Sequence, residues 1–210
     1  MKTPFIDVTA LPFPRGKTWY TSTGKAVPGS IDASTSWLEG LEVLVADTIN
    51  GTGIPITLRV VRNVSGVILY PKRLVTYQAG YHGRRADGYS CVTNAHGYPV
   101  DDAYGATGVA NGDLFYVVVE GPCQIFTSTT AGTLNVITER DPLVSCTAAA
   151  STGATTTDEG RVSTAVLAGA STNLDTTILA AIRGIFGTAM AAATTSQTNT
   201  SILAYVTKTF

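Results

Sequence analysis

The residues best suited to chemistry are two histidines and the carboxylates nearest them: His96 with Asp101 and Asp102, joined by His82 and Asp87 in the same stretch. Imidazole and carboxylate together are the ligand types of a divalent-metal site and the parts of a general acid–base pair. A metal site needs three or four ligands steered by a supporting shell of hydrogen bonds, and a stretch rich in Gly and Tyr offers little rigidity for that. Adjacent carboxylates such as Asp101-Asp102 and Asp158-Glu159 read as solvated turns. Neither a metal site nor a catalytic residue is expected from them. Nucleophilic catalysis has no better footing, because the chain contains no G-x-S-x-G elbow and no phosphate-cradling or dinucleotide-binding glycine pattern. Cys91, Cys123 and Cys146 lack C-x-x-C spacing and sit in or beside strand-like runs, which fits buried free thiols in a reducing compartment. A glycosidase would need two carboxylates on opposed rigid walls, a placement that only the fold can supply. The expectation is a protein without enzymatic activity and without a cofactor.

Composition points the same way. Charged residues make up 14% of the 210-residue chain, against roughly 25% in an average soluble domain, and threonine supplies about one residue in six. The surface must therefore be largely neutral. With a mean hydropathy of +0.19 and no apolar run long enough to cross a bilayer, that surface is expected to be covered by partner chains rather than by lipid. The net charge is −1, and the longest basic runs are Lys72-Arg73 and Arg84-Arg85. Nucleic acid is not an expected partner, since phosphate binding leaves a basic footprint. The start Met-Lys-Thr-Pro-Phe has no apolar signal region, so synthesis in a cytoplasm is expected.

The elements that would position these residues are mostly strands. Leu114 to Val119 is a continuous β-branched and aromatic run launched by a Gly-Asp turn. Glu120-Gly121-Pro122 should bend it into a second run at Cys123 to Thr127, and both faces should be covered. Shorter strands are expected near Leu41 to Val45, Ile56 to Val61, Leu74 to Tyr77, Thr133 to Thr138, Gly160 to Leu167 and Ile202 to Phe210. Asn63-Val-Ser-Gly66 reads as a hairpin turn with Val67 to Tyr70 as its return strand. Residues 79–108 read as a long loop with a short strand around Ser90 to Thr93, where Tyr81, Tyr89, Tyr98 and Tyr104 could form a binding surface. Asn173 or Asp175 could cap a helix near 174–192. Residues 1–29 combine four prolines with Phe5, Phe13, Trp19 and Tyr20, which resists helix and excludes a central strand. They read as an extended arm, which could wrap its own domain or cross to a neighbouring subunit. Its contact residues would be Phe5, Pro12, Phe13, Pro14, Trp19 and Tyr20. The fold expected is mainly β, a sandwich or barrel of short antiparallel strands over residues 30–210, with the arm and one short C-terminal helix.

Leu58 to Val75, reading Leu-Arg-Val-Val-Arg-Asn-Val-Ser-Gly-Val-Ile-Leu-Tyr-Pro-Lys-Arg-Leu-Val, resembles the capsid decoration, or cement, proteins of tailed bacteriophages. Asn111-Gly-Asp-Leu-Phe-Tyr-Val-Val-Val-Glu-Gly-Pro122 resembles the same family. The resemblance covers residues 36–138 best. It implies a β-rich virion protein on the outer face of the head, grouped as a homotrimer, bound to the major capsid protein and without a catalytic site. The alternative is a receptor- or glycan-binding module of a phage tail or fibre, with the four loop tyrosines as stacking surfaces.

Overall fold

A computed structural model describes residues 11–18, 38–90, 97–127, 136–145, 159–164, 185–194 and 200–207. They form twelve strands: β1 (Glu42–Ala46), β2 (Pro55–Asn63), β3 (Leu74–Tyr77), β4 (Arg85–Tyr89), β5 (Tyr98–Pro99), β6 (Leu114–Phe126), β7 (Val136–Ile137), β8 (Pro142–Ser145), β9 (Val162–Thr164), β10 (Gly187–Ala189), β11 (Ala193–Thr194) and β12 (Ser201–Val206). Ten of them make one sheet in the order β5-β3-β4-β2-β6-β12-β10-β8-β9, with β1 added to β2, while β7 and β11 pair separately. The pairing is antiparallel except between β2 and β4. The fold is mainly β.

β6 is the spine of the sheet. Leu114 to Val119 have no solvent exposure on either face, as an uninterrupted apolar run requires. Its first half pairs with β2, from Leu114 opposite Arg62 to Glu120 opposite Thr57. Its second half pairs with β12, from Gly121 opposite Val206 to Phe126 opposite Ser201. The changeover falls at Gly121-Pro122, so the expected bend is realised as an exchange of partner strands within one 13-residue strand. Gly121 has φ +110°, and a Cβ there would lie 2.7 Å from the Pro55 carbonyl oxygen, so the close approach of β2 needs glycine. Pro122 is tolerated for a separate reason. The N–H groups of Gln124 and Phe126 point away from β12, to Asp102 and to the Lys72 carbonyl. By two-residue alternation Pro122 faces that side too, and the ladder to β12 loses no donor.

The flanking strands follow simple alternation, with Val43 and Val45 of β1 and Ile202, Ala204 and Val206 of β12 turned inward. The two ends of the sheet curl toward each other. Leu74 N–H donates to the Gly160 carbonyl at 2.7 Å, and Gly160 N–H donates to the Ser90 carbonyl at 3.1 Å. Ser90 and Ser145 hydroxyls meet at 3.0 Å. The segment entering β9 is thereby tied to β3 and to the end of β4, and one hydrophobic core fills the interior.

Three expectations are corrected. The helix placed near 174–192 fails over its second half, where Gly187–Ala189 is β10, paired with β12 and β8; residues 174–184 lie outside the described residues. Gly187 packs where a Cβ would be 2.4 Å from the Tyr205 carbonyl oxygen, a strand-to-strand contact that helical periodicity cannot reveal. Residues 79–108 are not one loop, because they carry β4 and β5, whose hydrogen bonds to β3 and β2 are invisible to apolar patterning; residues 91–96 lie outside the description. Val67 to Tyr70 does not return along β2. Asn63 caps the turn instead, accepting from Ser65 N–H at 3.0 Å and donating to the Val67 and Val109 carbonyls at 2.8 and 3.0 Å. Leu69 then bridges to Val109.

Candidate functional site

Among the described residues, a cluster of buried polar and aromatic side chains lies where residues 11–18 meet the sheet beside β6. We call this segment the strap. Arg15 Nε donates to Asp101 Oδ1 and Oδ2 at 3.1 and 2.8 Å, and its Nη2 donates to Asp101 Oδ1 at 2.7 Å and Asp102 Oδ1 at 3.1 Å. Both carboxylates are buried. Asp102 Oδ2 also accepts from Asn50 Nδ2 and from Gln124 N–H, each at 2.9 Å. Asn50 is itself held in a turn organised by Asp47, which accepts from the N–H of Asn50 at 2.9 Å and the hydroxyl of Thr52 at 2.6 Å.

Aromatic groups complete the seat. The Phe13 ring stacks on Tyr116 of β6, centroids 4.4 Å apart, and the Tyr116 hydroxyl donates to the Phe13 carbonyl at 2.9 Å. Tyr104 reaches both partners, since its hydroxyl donates to the Lys17 carbonyl at 3.2 Å and accepts from Tyr116 N–H at 2.9 Å. Gly16, at φ +77°, lies so close that a Cβ would be 2.6 Å from the Ala103 carbonyl oxygen. The strap is thus read by an aromatic face, a pair of carboxylates and a backbone contact that admits only glycine.

The charge balance is uneven, with one guanidinium facing two carboxylates. Burial, together with the neighbouring Asp102 charge, outweighs the pull of Arg15 and raises the Asp101 carboxyl from its ordinary value to about 6. Arg15 is shifted upward by the same pair of carboxylates, against its own burial. Burial, with the same carboxylates, pushes the Cys123 thiol up as well, which keeps it an inert neutral group. The Asp101-Asp102 pair is therefore not the solvated turn its sequence suggests. Sequence gives no hint of the partner, because Arg15 is 86 residues away.

The other expected site residues scatter. Of the arm residues, Phe13 is buried in the seat, Pro12 is half-buried and Pro14 exposed; Phe5, Trp19 and Tyr20 lie outside the described residues. Of the loop tyrosines, Tyr98 and Tyr104 are buried, so they are structural rather than stacking surfaces. Tyr98 stacks on Tyr77 at 5.2 Å. Tyr89 is half-buried, and its hydroxyl accepts from Tyr70 N–H at 2.7 Å and donates to the Ile68 carbonyl at 3.1 Å. Tyr81 is 40% exposed and carries the Arg85 guanidinium 4.1 Å from its ring centre. His96 lies outside the description, and Asp87 accepts from the Thr76 hydroxyl at 2.8 Å in an exposed position. Among the described residues no group of three or more metal-ligating side chains converges.

One surface feature stands apart from these. Val67, Ile68 and Tyr70 are 53%, 45% and 40% exposed, around a Leu69 with no exposure. The two Tyr89 hydrogen bonds and the Leu69 bridge to Val109 hold this apolar ridge outward.

No protein-family model matches the chain, and no curated protein matches it. Among solved structures it is similar to the crystal structure of the N base of head fiber gp8.5 in bacteriophage phi29, with 15% identity, 73% of this chain and 95% of that chain covered, and a TM-score of 0.39.

Proposed function

We propose that this chain is a structural virion protein of a tailed bacteriophage, bound to the outside of the head, where it stabilises the capsid by bridging major capsid subunits. In this reading it acts as a homotrimer and has neither a catalytic site nor a cofactor. The observation that carries the reading is the Val67-Ile68-Tyr70 ridge, an apolar surface fixed in an outward conformation by internal hydrogen bonds. Side chains that collapse inward need no such scaffold, and a ridge held out on a charge-poor protein is suited to being covered by another chain. The resemblance of residues 58–75 to decoration proteins falls on the same segment.

Bridging needs no unusual chemistry. Each contact of about 800 Å² per partner is an ordinary specific interface, and a trimer touching several capsid subunits gains effective concentration from every contact. The alternative, a receptor- or glycan-binding module of a tail or fibre, is favoured by the Arg85-backed Tyr81 ring alone.

The molar ratio of this chain to the major capsid protein in purified particles, measured by quantitative peptide mass spectrometry, tests the reading. Decoration predicts a ratio on the order of one, set by repeated interfaces of this kind. A ratio of only a few copies per particle favours the tail module, and absence from particles overturns both.

A further inference from the structure

We propose that β1 is a pairing edge, and that two copies of this chain join there as antiparallel strands about a two-fold axis at Leu44. The ten-stranded sheet ends at three strands, β5, β9 and β1. Two of them are sealed along β6. Val100, directly after β5, bridges to Val117, and Val162 of β9 bridges to Thr127, directly after β6. β1 pairs with β2 alone. Their ladder is bounded by Val60 N–H, donating to the Leu41 carbonyl at 2.9 Å, and by Asp47 N–H, donating to the Ile54 carbonyl at 3.2 Å. The backbones of Leu41 and Asp47 thus bond toward β2. By two-residue alternation so do those of Val43 and Val45, while the N–H and C=O groups of Glu42, Leu44 and Ala46 point away from the sheet. Those of Leu44 and Ala46 have no partner among the described residues. Natural sheets protect an open edge with lysine, proline or a bulge. Glu-Val-Leu-Val-Ala, the whole of β1, has none of these.

The strand's own pattern identifies the partner. Among the described residues β1 is the one open edge longer than two residues, since β7 and β11 are two-residue strands. Strand pairing between copies therefore brings like edge to like, which is an isologous, two-fold contact. Centred on Leu44, it sets Glu42 of each copy opposite Ala46 of the other and Val43 opposite Val45, so no charge meets its like. The two Glu42 positions then lie about 14 Å apart along the paired strands, beyond the roughly 8 Å screening length of physiological salt. Each Glu42 carboxylate is also neutralised within its own copy by Arg59. Leu41 and Ile49, 37% and 46% exposed, flank β1 at opposite ends. An antiparallel copy brings the Leu41 end of one strand to the Ile49 end of the other, where each gains apolar cover. A two-fold contact cannot close a trimer, so this edge is a second interface, separate from the three-fold grouping proposed above. It rests on β1 and not on the capsid reading.

The isolated full-length chain tests it. A five-residue strand contact is small, so association is followed by sedimentation velocity up to chain concentrations on the order of 1 mM. Because the two-fold sets Leu44 against its own copy, Leu44→Lys and Leu44→Glu each place like charges opposite one another. Each variant alone is expected to associate at least about tenfold more weakly than wild type, and an equimolar mixture of the two should regain the association. Single variants that associate as wild type does, or a mixture that regains nothing, overturn the proposal. Should either variant fail to fold, amide hydrogen exchange on the wild-type chain reads the same contact. The Leu44 and Ala46 amides should exchange slowly at the highest concentration and faster on dilution, while those of Val43 and Val45, already bonded to β2, stay constant. Fast exchange at Leu44 and Ala46 at every concentration overturns the pairing. So does protection that appears only on purified heads, which assigns the edge to a capsid strand.

Discussion

Arg15 and Asp101 form a forked ion pair across 86 residues of sequence, with Nε and Nη2 on the carboxylate and the second carboxylate, Asp102, 3.1 Å away. This pair makes the strap part of the folded domain. An arm that could be removed without consequence would not place its arginine and its phenylalanine in the core. Deleting residues 1–29 is therefore expected to destabilise the domain, because it uncovers Tyr116 and leaves two buried carboxylates without a cation.

Arg15→Ala isolates that effect. Breaking a buried pair by removing one partner costs about 3–5 kcal/mol when the remaining charge stays buried, and the two aspartates here are also hydrogen-bonded in place by Ala103 N–H, Asn50 and Gln124 N–H. Urea denaturation should show a loss at or slightly below the lower end of that range, since the emptied seat can admit water. A loss under about 0.5 kcal/mol, typical of a surface substitution, would show that the pair does not hold the strap.

The sign of the pH dependence follows from the charge imbalance. Asp101 titrates at about 6 in the folded chain, against a reference of 3.8. A carboxyl with a raised folded value binds its proton where the unfolded chain has released it, so this contribution is fully present below about 4 and lost as pH rises through about 6. Protonation leaves one carboxylate for one guanidinium, a neutral site. Unfolding free energy, compared between wild type and Asp101→Asn, should diverge from about pH 4 to 7.5, with the wild type losing on the order of 2–3 kcal/mol relative to the variant, about half of it above pH 5. Parallel pH profiles would mean that Asp101 stays ionised throughout. The Asp47 carboxyl is shifted downward, chiefly by its bonds from Thr52 and Asn50 against its burial. Its stabilising contribution is present above its unfolded value and is lost only at lower pH, outside this window.

Much of the sheet could be read from the chain, and the seat could not. β6, β1 and β12 announce themselves through runs and alternation, because burial against the sheet interior dictates side-chain type at every position. β4 and β5 do not, since Arg85-Ala-Asp-Gly-Tyr89 and Tyr98-Pro99 owe their place to backbone pairing and to the Tyr77–Tyr98 stack. Periodicity suggested a helix around Gly187, but a glycine packed onto the Tyr205 carbonyl belongs to a strand. Asp101-Asp102 looked like a turn at the surface because the cation that makes their burial tolerable is supplied from the arm. Local sequence cannot show a partner 86 residues away.

Gly121→Ala tests whether the partner change in β6 depends on glycine. At φ +110° an alanine is strained by about 1–3 kcal/mol, and its Cβ would also press on the Pro55 carbonyl at 2.7 Å and on Ile56 Cα at 3.0 Å. Both neighbours are backbone of β2 and cannot swing aside. The variant should lose at least 2 kcal/mol or so in urea denaturation, while Gly66→Ala, whose Cβ would meet nothing within 4 Å, should lose less. Equal losses would mean that the positive φ alone, and not the approach of β2, fixes the residue.

The ridge should behave in the opposite way to the seat. Val67 and Ile68 are about half exposed, so Val67→Ser with Ile68→Ser removes little buried area, and the stability change should stay within about 0.5 kcal/mol per site. The backbone bonds that hold the ridge use the Tyr89 hydroxyl and the Tyr70 and Ile68 main chain, which neither substitution touches. If the ridge is the capsid-facing surface, occupancy on purified heads should fall at least tenfold, because each copy loses its apolar contact and repeated contacts multiply the loss. Tyr89→Phe supplies the complementary case. It keeps the ridge side chains but deletes the hydroxyl that fixes them, so it should lower occupancy while leaving the exposed apolar surface unchanged in composition. Full occupancy by the Ser double variant, with its fold intact, would move the capsid contact away from this ridge.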